Sequence, residues 1–119
     1  MQDFRDLQVW QKAHQLTLSV YRATASFPDA ERYGLSSQMR RCSASIGANI
    51  AEGCGRGGRK DFARFLRVAT GSASELDYHL LLAKDLGMIG AEDYGRLAGD
   101  VVEVGRMLAG LLRKLTTEN

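Results

Sequence analysis

Apolar residues recur at intervals of three and four along almost the whole chain, in four stretches separated by short polar or glycine-rich breaks. That spacing repeats one face of an α-helix. The first stretch predicts a helix over about residues 6–26, with Trp10, Ala13, Leu16 or Thr17, Val20, Thr24 and Phe27 on one side. Pro28 closes it, because proline has no N–H to continue the ladder. A polar connection, 29–34, follows. The second helix is expected over about 35–53, with Leu35, Met39, Cys42, Ile46 and Ile50 inward and Gly53 in the left-handed position that ends a helix. The third, about 60–86, carries the most regular seam: Phe62, Leu66, Ala69, Ala73, Leu76, Leu80 and Ala83. The fourth, about 91–115, repeats the heptad step through Tyr94, Leu97, Val101, Val104, Leu108, Leu111 and Leu115. Four amphipathic helices with short breaks predict an all-α, antiparallel up-down-up-down four-helix bundle, formed by residues 1–119 as a single domain.

Composition changes this picture little. Of the 119 residues 45% are hydrophobic and 25% charged, and Pro28 is the one proline, which favours long helices. No apolar run reaches the ~20 residues of a membrane span, and the N-terminus lacks the apolar segment of a secretory signal, so a cytoplasmic location without membrane contact is expected. Two cysteines, Cys42 and Cys54, fit that compartment as free thiols, with Cys42 reading as a core residue.

Charge placement is more informative than the net +2. Between Arg32 and Arg67 there are eight basic residues against Glu52 and Asp61, a net of +6, while the flanking segments are acidic overall. Lys60, Arg64 and Arg67 follow at steps of four and three and share a helix face; Arg56 and Arg59 sit at the glycine-rich connection beside them. A concentration of cations on one face can neutralise phosphates. Arg56, Arg59, Lys60, Arg64 and Arg67 are therefore the leading nucleic-acid-binding candidates, with Arg40 and Arg41 second.

Recognisable catalytic chemistry is missing. The two cysteines and two histidines match no zinc spacing, and no metal or cofactor is expected. Glu75 and His79, four apart, form one pair where a di-iron bundle needs two Glu-x-x-His pairs, and read as a hydrogen-bonding pair. Neither His14 nor His79 has an arginine a few residues before it, at the distance helical nucleases require. Gly55 to Gly58 lacks the Gly-Lys-Ser/Thr ending of a phosphate loop, and no histidine accompanies the serines of the second helix as a base. A non-enzymatic binding protein is the expectation. Asn49, Glu52 and Gly53 lie where the second helix ends; with Asn49 and Glu52 near the apolar stripe, they read as a polar clasp that fixes the turn to the third helix.

Several stretches together resemble a known family. Phe4-Arg-Asp-Leu-Gln-Val-Trp10, Leu35-Ser-Ser-Gln-Met-Arg-Arg41, Ser45-Ile-Gly-Ala-Asn-Ile-Ala-Glu-Gly53, the segment from Phe62 to Phe65, and Gly71-Ser-Ala-Ser-Glu-Leu76 occur in order over residues 4–115. The chain resembles the four-helix-bundle proteins encoded by intervening sequences of bacterial 23S ribosomal RNA genes. That resemblance implies a ring-shaped homopentamer and supplies no catalytic residue. A related branch, the accessory variability determinants of diversity-generating retroelements, is strongly basic and binds nucleic acid and a reverse transcriptase; the net +2 here departs from it. The expected function is nucleic-acid binding (RNA or DNA) by an oligomeric bundle. The alternative is a protein-interaction scaffold or accessory subunit, for example for a reverse transcriptase.

Overall fold

A computed structural model describes residues 2–117. Four α-helices form, α1 (Gln8–Thr24), α2 (Leu35–Arg56), α3 (Arg59–Asp85) and α4 (Ala91–Thr117), with short 3-10 turns at Phe4–Asp6 and Asp29–Glu31 and no strand among the described residues. α2 packs on α1 and α3, and α4 packs on the same two; the diagonal pairs, α1 with α3 and α2 with α4, make no close backbone approach. This is the neighbour pattern of a four-helix bundle, drawn out to 48 × 22 × 20 Å. No helix among the described residues is long and apolar enough to cross a membrane.

The core follows the heptad steps closely. Ala63, Leu66, Ala69, Ala73, Leu76, Leu80 and Ala83 are the buried residues of α3, and Leu97, Val101, Val104 and Leu108 those of α4. On α3 Ala63 takes the buried place expected for Phe62, which is half-buried at the bundle's edge. On α1 the buried line is Val9, Ala13, Leu16, Val20 and Thr24. Trp10 sits beside that line rather than on it. Its ring meets the edge of Phe4 at 4.9 Å and stacks on His14 at 4.8 Å.

Helix ends differ from the expected ones for identifiable reasons. α1 starts at Gln8, because Asp3 caps a separate 3-10 turn ahead of it. It ends at Thr24, short of Ser26. α2 has no capping side chain of its own at Gly34; the Glu31 carboxylate accepts from the Leu35 N–H instead, at 3.0 Å. α2 also runs past Gly53 to Arg56, and the left-handed residue that closes it is Gly57, at φ 86°. α3 ends in a Schellman arrangement: the Gly87 N–H reaches Lys84 O and the Met88 N–H reaches Ala83 O, with Gly87 at φ 75°.

Gly53 therefore serves packing. A methyl group there would lie 2.8 Å from Phe65 Cβ and 2.9 Å from the Phe62 ring, so its absence lets α2 approach the start of α3. Gly55, two residues on, faces open space. The two glycines should respond oppositely to alanine. Gly53→Ala is expected to destabilise by on the order of 1–3 kcal/mol through overpacking. Gly55→Ala is expected to stabilise by roughly 0.5–1 kcal/mol through helix propensity. Urea unfolding of the two variants checks both signs.

Candidate nucleic-acid interface

The α2–α3 connection consists of Gly57 and Gly58, and the cations flanking it gather on one side of the bundle. Arg56, Arg59, Lys60, Arg64 and Arg67 line an open concavity of 570 Å³ together with Gly58 and Asp61. Helix geometry brings them together: Lys60, Arg64 and Arg67 share one face of α3, and the tight turn folds Arg56 back beside it. Phe65 props the arrangement. The Arg64 guanidinium lies 4.5 Å and the Arg56 guanidinium 5.1 Å from its ring centroid, within cation–π range. Two acids trim the charge. Glu52 pairs with Arg56 at 3.3 Å and Asp61 with Arg64 at 3.4 Å, both through exposed side chains. Such exposed pairs are weak and open readily to a competing anion. Among the described residues Lys60 and Arg67 form no ion pair.

Arg40 and Arg41 lie elsewhere. From Arg41 to Arg56 is about 22 Å along α2, and the two arginines line a separate open hollow with Arg32, Tyr21 and Tyr33. They also differ from each other. Half-buried Arg40 donates from Nε to Thr24 Oγ1 at 2.8 Å and from Nη2 to the Tyr21 carbonyl at 3.3 Å, and lies 4.8 Å from the Tyr21 ring centroid. It ties α2 to the last turn of α1. Arg41 makes one exposed hydrogen bond, to Ser37 Oγ at 3.2 Å.

The three residues read as a clasp also separate. Asn49 is half-buried; its Nδ2 donates to the Ser45 carbonyl at 2.8 Å and to Ser45 Oγ at 3.0 Å. Ser45 Oγ then meets Ser72 Oγ of α3 at 2.9 Å, so the cross-helix link is Asn49–Ser45–Ser72. Glu52 is not near the apolar stripe. It is exposed and paired with Arg56 on its own helix, because three residues from Asn49 advance the helix by about 300°, which carries the side chain about 60° further from the buried line. Gly53 contributes by being small, as described above.

Two thiols complete the polar interior. Both cysteines are free and buried. Burial, reinforced by the Glu75 carboxylate, pushes the Cys42 thiol up to about 11. Cys54 is also raised, by burial and then by Asp3, and its Sγ donates to the Gln2 carbonyl at 3.1 Å. His79 does not hydrogen-bond Glu75 as expected. Its Nδ1 lies 3.7 Å from Cys42 Sγ. The three ligand-type atoms of Cys42, Glu75 and His79 fall within 4.8 Å of one another, a grouping invisible to a search for local zinc spacings because Cys42 and His79 are 37 residues apart.

Four bundled helices with a basic concavity at one interhelical turn define an all-α architecture rather than a particular reaction. The chain's family is more specific. Residues 5–110 match the model of the 23S rRNA-intervening sequence proteins, and the chain belongs to that family. It is similar to a crystal structure from Bacteroides thetaiotaomicron VPI-5482, described as a protein of unknown function from the S23 ribosomal protein family. The identity is 27% and the TM-score 0.79, over 88% of this chain and 98% of that one. No curated protein matches the chain.

The contrast between Arg40 and Arg41 is testable. Arg40→Ala is expected to cost about 1–2 kcal/mol, since it removes charge-assisted bonds to a buried threonine and a carbonyl. Arg41→Ala is expected to stay within about 0.5 kcal/mol of the parent. Thermal unfolding of the two variants measures the difference.

Proposed function

We propose that the protein binds RNA or DNA, without catalysis, through Arg56, Arg59, Lys60, Arg64 and Arg67. The observation that carries this reading is the convergence of these five cations on one concavity where, among the described residues, Asp61 is the one acid in the lining. Their placement also runs against helix stability. Arg59 and Lys60 occupy the first turn of α3, where the macrodipole favours acids, and Gly58 ahead of them supplies no side-chain cap. The first N–H groups of α3 thus add to an anion-attracting field. A solvated face with no binding duty would gain from acids at those positions.

The finer architecture is part of the same proposal. The helices run up-down-up-down, and copies of the chain assemble as the ring-shaped homopentamer that the family resemblance implies, in the cytoplasm. Val68, Tyr78 and Leu81 of α3 and Val102 of α4 are exposed apolar side chains, and they support assembly through these helices. A ring would repeat the basic concavity around its axis and multiply the affinity of each copy. Exposed apolar surface equally suits a protein partner, such as a reverse transcriptase, in the scaffold reading.

Binding to structured RNA and to duplex DNA over a salt series tests the proposal, with particle mass measured by light scattering on the same samples. Affinity is expected to fall steeply with salt. Replacing Arg59, Lys60 and Arg64 together with alanine is expected to weaken low-salt binding at least tenfold. On duplex DNA the triple variant should flatten the salt slope by roughly 0.9 for each lost phosphate contact. Equal binding by parent and triple variant would overturn the assignment, and a monomer mass would overturn the ring.

A further inference from the structure

We propose that Cys42, Glu75 and His79 form a binding site for one zinc-class divalent ion that bridges α2 and α3 near the middle of the bundle. Glu75 and His79 stand one turn apart on α3, and Cys42 faces them from α2, so the three donors converge from two helices rather than from one flexible loop. In tetrahedral zinc sites, metal–ligand bonds of ~2.0–2.3 Å put ligand atoms about 3.3–3.8 Å apart. The Cys42 Sγ to His79 Nδ1 separation is 3.7 Å, already that edge of a tetrahedron. The full triangle, within 4.8 Å, is slightly open. Glu75 can close it, because its residue is exposed and no hydrogen bond or ion pair holds it among the described residues.

Access and charge also fit. Cys42 and Glu75 line an open hollow of 290 Å³ with Ser45, Ser72, Tyr33 and Arg41, which gives an ion a path in and room for water as a fourth ligand. A thiolate, a carboxylate and a neutral imidazole would offset a divalent charge, so the filled site is neutral; Arg41, the cation in the same hollow, is engaged with Ser37 Oγ. A sulfur and a nitrogen ligand favour zinc, cobalt or a similar borderline ion over magnesium or calcium. On binding, the metal takes the thiolate and the thiol proton leaves to solvent. The ion would pin the two helices that share the most extensive contact in the fold.

Cobalt(II) titration of the chelator-treated protein tests the site. The expected result is one cobalt per chain, with thiolate-to-cobalt charge-transfer absorption and the intense visible bands of tetrahedral coordination, both reversed by zinc. Cys42→Ser should abolish the charge-transfer absorption, while Cys54→Ser should retain it. Glu75→Gln, at an exposed position that leaves folding intact, should weaken cobalt binding roughly tenfold or more, as should His79→Gln, since even outer-shell partners are worth that much. Absence of charge-transfer absorption at saturating cobalt, its persistence in Cys42→Ser, or unchanged affinity in Glu75→Gln would overturn the proposal.

Discussion

The close approach of α2 to α3 is the constraint on which the rest of the structure depends. Gly53 leaves no side chain between α2 and the Phe62 and Phe65 side chains, and Ala63, Ala69 and Ala73 keep the facing seam of α3 shallow. Small residues on both sides allow dispersion contacts at short range, and a core packed to that density does not accept even one added methyl cheaply. Polar groups placed in this contact must find partners across it. The Ser45–Ser72 and Cys42–His79 contacts are the result, and no buried side-chain nitrogen or oxygen among the described residues is left without a hydrogen bond.

The same contact organises the surface charge. With α2 held against α3 and only two glycines between them, Arg56 must lie beside the first two turns of α3. Five cations then share one concavity, and like charges at that spacing repel one another. The packing beneath supplies the compensation. Phe65 contributes its edge to the α2 contact through Cβ and offers its ring to Arg56 and Arg64, so one side chain links the apolar interface to the cationic surface.

Much of this was legible in the sequence because heptad spacing reports burial directly. Leu66, Ala69, Ala73, Leu76 and Leu80 read as a seam and are one. Local spacing fixes a helix's period more firmly than its phase or its end. Phe62 is the larger apolar residue at the start of the seam, yet Ala63 suits the tight contact and is the one buried. Gly53 comes first in a glycine-rich run and so reads as the helix end, whereas Gly57 adopts the left-handed conformation. The spacing of Glu52 from Asn49 suggests a place near the apolar stripe, but a modest difference in phase moves a side chain from interior to solvent. Arg40 and Arg41, adjacent in sequence, point to different tasks because consecutive helical residues differ by about 100°. The Cys42–Glu75–His79 grouping depends wholly on how α2 docks on α3, which no local motif encodes.

Backbone amide NMR shifts on adding structured RNA at low salt test the central claim most directly, namely that the α2–α3 junction organises a single basic binding surface. The account predicts salt-reversible perturbations concentrated between Arg56 and Arg67, with small changes along α1 and α4. Perturbations centred on α4, or none in the α2–α3 junction at saturating RNA, would contradict it.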